Sequence, residues 1–181
     1  DFETWDTGNI AMSEDKKDEM LKYEYARSAL NIGLKIKNKV GVNPFKFGMI
    51  GSTDSHTALA TSDNDNFFGK FPGSEPTIAR FTNQMASNLW PNITISSSGY
   101  TAVWAKENTR EEIFNALKRK EVYATSGPRI LLWFDLVNAP NGEEVPMGSD
   151  IKMSKNPRFI VKAAGSYIQK PGCPEYSYNA L

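Results

Sequence analysis

Asp54 and His56 lie two residues apart in Gly51-Ser52-Thr53-Asp54-Ser55-His56, directly behind the apolar run Phe47-Gly48-Met49-Ile50, and His56 is the only histidine in the chain. In an extended segment, residues two apart point to the same side, so a carboxylate and an imidazole converge as the strand ends. That donor pair suits a divalent ion such as Zn²⁺ or Mn²⁺. The competing assignment is structural, with Asp54 capping a turn and His56 making an ordinary hydrogen bond. A second pair lies in Ser126-Gly127-Pro128-Arg129, where a small turn follows a predicted strand. There Ser126 and Arg129 are candidates for substrate binding, because a guanidinium pairs with phosphate or carboxylate oxygens. An ion pair at a domain boundary would account for Arg129 equally well.

Other chemistries fit poorly. No G-x-S-x-G is present, and Ser55 beside His56 faces the opposite side of an extended strand, which argues against a hydrolytic triad. Asp63-Asn64-Asp65-Asn66 opens like a calcium loop, but Phe68 stands where the required glycine should be and Ser74 where the closing glutamate should be. Asn92-Ile93-Thr94 is a glycosylation sequon by pattern alone. A single cysteine, Cys173, excludes an intrachain disulfide and Cys-rich zinc sites, and leaves the compartment open.

The elements that must position these side chains alternate between helix and strand. Ser13-Glu14-Asp15 is a plausible helix start, followed by two apolar stripes, one through Met20, Tyr23, Ala26, Leu30 and Leu34 and one through Leu21, Tyr25, Ala29, Ile32 and Ile36. Two stripes predict a helix covered over much of its circumference, with Gly41 as the stop. Asn43-Pro44 then turns the chain into a short strand over 46–50, the grammar of an α/β unit. The polar loop 61–76 carries Phe67, Phe68 and Phe71, which suggests a loop folded over the mouth of a pocket. A helix is predicted over 77–89 and a strand over 100–105.

Thr109-Arg110-Glu111-Glu112 reads as a capping box opening another helix. The basic run Lys118-Arg119-Lys120 closes it favourably for the helix dipole, which explains the run better than phosphate binding does. A strand over 121–125 follows. Beyond Arg129 the texture becomes β-rich: Ile130 to Val137 is β-prone, Asn141-Gly142 marks a hairpin turn, and Phe159 to Ala163 alternates. The expected division is an α/β part over 1–133 and a β-rich part over 134–181.

The bulk numbers limit the partners. With 181 residues the chain can bury a core without disulfides, and 21 basic against 21 acidic residues give no electrostatic footprint for nucleic acid or an anionic membrane. No apolar run approaches the ~20 residues of a membrane-spanning helix. The chain starts at Asp1 without methionine, and this reading expects a piece of a longer polypeptide.

Several long motifs occur in order: NPFKFGMIGSTDSHTALA, the FFGKFPGSE region, SSSGYTAVWAKENTREEIFNALKRKEVYATSGPRI and VPMGSDI. Together they resemble the carboxyl-terminal part of a large bacterial family known as domain of unknown function 3604. That family is related to the polymerase and histidinol phosphatase (PHP) superfamily of metal-dependent phosphoesterases. The resemblance runs from the helix before Asn43 to beyond Met147. It implies a PHP-like distorted β/α barrel segment (an α/β, TIM-like fold) followed by a β-rich, sandwich-like appendage. It also implies that Asp54 and His56 take the ligand role of the superfamily's late D-x-H motif, with Zn, Mn or Fe as the metal. The turn from Ser126 to Arg129 is similar to a family motif.

The early H-x-H motif of the family and its other histidines have no counterpart here. The resemblance thus implies a hydrolase, a phosphoesterase acting on a small phosphate ester through metal-activated water, whose remaining ligands are expected in the rest of the parent chain. By itself this stretch is expected to be inactive and metal-free. The alternative is a β-rich binding or assembly module using Trp133, Phe134 and Tyr167. Either way the setting is bacterial, periplasmic or cytoplasmic.

Overall fold

The computed structural model describes residues 15, 17–56, 62–63, 66–67, 78 and 97–165. The chain divides into two compact units, 1–47 and 48–181. The predicted helix over 77–89, the side chains of the aromatic loop, the Ser13 cap, the sequon, Tyr167 and Cys173 lie outside the described residues.

In the first unit, one long helix was expected and two are found. Helix α1 spans Asp18–Glu24 and α2 spans Ala26–Val40, separated by Tyr25 in an extended conformation. The first begins at Lys17 without a side-chain cap, although Asp18 and Glu19 place charge where the dipole favours it. The stop at Gly41 is as the sequence predicts: its φ of 82° is left-handed and its N–H donates to the Lys37 carbonyl at 2.8 Å. Of the two stripes, Ala29, Ile32 and Ile36 are half-buried whereas Leu30 and Leu34 are exposed, so within this unit the helix is covered on one side only. Gly33 lies under the turn at Asn43–Phe45, where an added Cβ would stand 2.2 Å from Asn43 Oδ1. That oxygen is already held as acceptor for the Phe45 N–H.

The second unit is a mixed α/β assembly of small antiparallel sheets. Strands β1 (Ser62–Asp63) and β2 (Asn66–Phe67) pair with each other. Strand β3 (Thr101–Val103) leads into helix α3 (Arg110–Arg119), which returns the chain to β4 (Val122–Ala124) beside β3. The Thr109 side chain accepts from the Glu112 N–H at 3.3 Å, the first half of the predicted capping box. At the other end, Lys120 takes a left-handed C-cap, Arg119 is hydrogen-bonded to Glu121, and Lys118 lies over the Phe114 ring. The Glu121 hydrogen bond raises the Arg119 pKa above its ordinary value. The basic run thus serves the helix end.

The third sheet has the order β6-β5-β7, with β5 at Ile130–Leu136, β6 at Val145–Pro146 and β7 at Phe159–Gly165. The turn predicted at Asn141-Gly142 connects β5 to β6, with Gly142 at φ 78° and its N–H bonded to Ala139. Pairing of β5 with β7 places Phe134 opposite Val161 and Leu136 opposite Phe159, and the Phe134 and Phe159 rings stack at 4.9 Å. Asn138 fastens the start of β7 by accepting from the Arg158 N–H and donating to the Asn156 carbonyl.

Only the last residues of β5 pair with β6, so its first half has an edge needing other partners. Two aromatic side chains supply them. The Tyr123 hydroxyl donates to the Ile130 carbonyl at 2.7 Å and accepts from the Leu132 N–H at 3.1 Å. The Trp104 indole donates to the Leu132 carbonyl at 2.8 Å, while its ring packs on Trp133 at 4.9 Å. The core sits at this junction, around Ala116, Val122, Tyr123, Leu136 and Ala139, all buried. Among the described residues no closed barrel forms, and the sheets are antiparallel rather than parallel.

Tyr123→Phe should leave the Ile130 carbonyl and the Leu132 N–H without that hydroxyl and destabilise the protein by about 1–3 kcal/mol. Chemical denaturation checks this; an unchanged midpoint would mean that water replaces the hydroxyl.

Candidate functional site

Three segments of the second unit come together, 48–56, 97–101 and 122–129, and the four candidate side chains stand on the first and the last. The first runs beside β4 in the same direction. A Cβ on Gly48 would meet Val122 and Lys120, and one on Gly51 would stand 2.8 Å from the Tyr100 carbonyl and 3.3 Å from that of Thr125. This stretch was predicted as a strand over 46–50, but no strand is assigned to it. Phe47, Met49 and Ile50 are exposed.

The middle segment, 97–101, is bonded to both of its neighbours. The Thr101 hydroxyl donates to the Gly51 carbonyl, and the Ser98 N–H donates to the Thr53 carbonyl at 3.1 Å. On the other side, the Thr125 N–H donates to the Tyr100 carbonyl at 3.0 Å, and the Thr125 hydroxyl accepts from the Tyr100 N–H at 3.0 Å. That same hydroxyl donates to the Gly127 carbonyl at 2.8 Å, which folds the turn after β4 back on its strand. Ser97 and Thr125 are buried here. The approach is so close that a Cβ on Gly99 would stand 1.8 Å from the Thr125 carbonyl oxygen. No side chain fits that space.

Asp54 departs from the sequence expectation. Its φ is +52°, in the left-handed region, so the segment is not extended through the D-S-H and the rule that residues two apart share a face does not apply. Aspartate tolerates this region better than most residues, yet the conformation still carries strain. Both Asp54 and His56 are exposed, and the Ser55 N–H is held by the Thr53 hydroxyl at 3.3 Å. Ser126 and Arg129 are exposed on the turn after β4, with the Arg129 guanidinium 5.3 Å from the centre of the Tyr100 ring. The structure thus hangs both candidate pairs from the same middle segment, Asp54 through Thr53 and Arg129 through Tyr100 and Thr125. Sequence reasoning passed over Gly99, Tyr100 and Thr125. The one available signal was the Ser-Ser-Ser-Gly-Tyr stretch of small residues before a strand.

One carboxylate and one imidazole suit a borderline divalent ion in kind, but a closed coordination shell needs about four donors. Among the described residues, no three His, Cys, Asp or Glu side chains gather to hold such an ion. Asp54 and His56 therefore do not make a metal site by themselves, and further ligands would have to come from beyond the described residues.

Helices and small antiparallel sheets, with a three-segment crossing that leads into the D-S-H motif, define a mixed α/β protein. The chain belongs to the family described as "Protein of unknown function (DUF3604)", whose match runs over residues 1–169. It is 38% identical over 74 residues to an uncharacterised protein of Chlamydia pneumoniae, a stretch covering 41% of this chain and 12% of that protein. An uncharacterised protein of Chlamydia trachomatis serovar D is 32% identical over 65 residues, or 36% of this chain and 10% of the relative. The matched stretches thus span only a small part of these curated relatives. No solved structure matches.

Substitutions at two positions probe this geometry. Gly99→Ala should destabilise the protein at or beyond the upper end of the roughly 1–3 kcal/mol cost of overpacking, because the atom it meets is backbone. Asp54→Ala should be about 1 kcal/mol less stable than Asp54→Gly, since only glycine adopts the left-handed conformation freely. Equal thermal midpoints for the two Asp54 variants would remove the strain argument.

Proposed function

We propose that this chain is part of a metal-dependent hydrolase of the phosphoesterase class, in which Asp54 and His56 are two of the metal ligands and Ser126 and Arg129 contact a phosphate ester substrate. The observation that carries the reading is the left-handed Asp54 in the D-S-H motif: backbone strain of this kind collects where a side chain must be aimed. A ring-packed arginine on a neighbouring turn is suited to an anionic group. On this reading the residues up to 133 belong to a PHP-like barrel and those from 134 to an appended β-rich domain, while the remaining ligands lie elsewhere in the polypeptide.

A bound Zn, Mn or Fe ion would supply an activated water and neutralise charge on a phosphoryl oxygen. Asp54 and His56 would help to hold the ion, and Ser126 and Arg129 would orient the phosphate.

A second reading is a binding or assembly module. It is favoured by the β5–β7 sheet, where Ile130, Phe134, Phe159 and Val161 leave a largely apolar face exposed.

Elemental analysis and turnover of p-nitrophenyl phosphate by the purified full-length protein decide between them. The hydrolase reading expects stoichiometric Zn, Mn or Fe, lost in Asp54→Asn and His56→Ala. Turnover should fall roughly 100-fold or more, beyond the effect of losing an outer-shell partner. A metal-free protein, or one whose activity survives both substitutions, sinks it and leaves the module reading.

A further inference from the structure

The Arg129 guanidinium stands 5.3 Å from the centre of the Tyr100 ring, within the distance at which a cation is attracted to a π face. A long, exposed arginine side chain explores many rotamers, and each one that must be frozen on binding an anion weakens the complex. A ring against the guanidinium removes part of that freedom beforehand. The residue that bears the ring is itself held. The Tyr100 backbone is held at its N–H by the Thr125 hydroxyl and at its carbonyl by the Thr125 N–H. The Thr125 hydroxyl reaches on to the Gly127 carbonyl, two residues before Arg129. One buried threonine therefore sets both the platform and the turn that carries the cation. Gly99 allows this by letting the middle segment lie against the Thr125 carbonyl.

We propose that Tyr100, set in place by Thr125, is a positioning residue that holds the Arg129 guanidinium for a phosphoryl oxyanion. The inference rests on the reading that Arg129 contacts the substrate phosphate, and it adds a residue that acts through Arg129 without touching substrate. The attraction depends on the electron density of the ring face, so it can be varied at nearly constant shape.

The test is calorimetric titration of inorganic phosphate into the full-length protein with tyrosine, phenylalanine or trifluorinated phenylalanine at position 100, and with Arg129→Ala. Phenylalanine should bind phosphate as the wild type does. The fluorinated ring should bind about two- to fivefold more weakly, the range expected of an exposed cation–π contact. In the Arg129→Ala background the ring change should have no further effect. Thr125→Ser should retain wild-type affinity, and Thr125→Val should weaken it.

A flat response across the ring series, an equal response without Arg129, or no phosphate binding by the wild type overturns the proposal. Phosphate binding that follows the ring series in a protein that turns over no phosphate ester upholds it, and counts against the phosphoesterase reading alone.

Discussion

The Tyr123 hydroxyl, placed between the carbonyl of Ile130 and the N–H of Leu132, joins the sheet of β3 and β4 to that of β5, β6 and β7. Strand β5 is longer than its partner β6, and a strand edge inside a protein must find donors and acceptors or lose them to water. Here a phenol and the neighbouring Trp104 indole take the place of a missing strand. Burial of Tyr123 makes this constraint matter, because an unsatisfied group at that depth costs more than the bond it forgoes. Strand β4, which carries Tyr123, thereby fixes the position of its own end, and at that end stands Thr125.

Thr125 repeats the device two residues further on. Its hydroxyl serves one backbone donor and one backbone acceptor, and so laces the middle segment to the turn that bears Ser126 and Arg129. The same middle segment holds the chain just before Asp54 through the Thr53 carbonyl. Candidate residues about 70 positions apart in sequence thus depend on one hydrogen-bonded crossing. The crossing is closed by Gly51 and Gly99, where backbone lies against backbone. Loops carrying chemistry on a rigid support are a common arrangement. In this protein the support is backbone hydrogen-bonded across the middle segment to both of its neighbours.

Much of this was legible in the chain. Thr109 caps α3, Gly41 ends α2, Asn141-Gly142 turns β5 into β6, and strands form where β-branched and aromatic residues alternate. Each of these is a local rule, satisfied by a few neighbouring residues. The failures share a different origin. Nothing nearby in sequence states that Tyr25 interrupts a helix with an unbroken apolar pattern, or that the run at 46–50 lacks a strand assignment. Strand formation needs a partner ladder, and the partner is a matter of tertiary context.

By itself the sequence determined the turns, the caps, the β-rich texture after Arg129 and the D-S-H motif with its lone histidine. Only the tertiary structure decided how that motif is presented. The ring under Arg129 and the Thr125 hydroxyl's bond to Tyr100 arise from contacts between distant segments, and the left-handed backbone at Asp54 is seen only in the folded chain. The physical reason is that the partner of a single hydroxyl is chosen by whichever backbone groups packing brings within reach, and local sequence does not encode which those are. Residue type can permit such choices; three-dimensional packing selects among them.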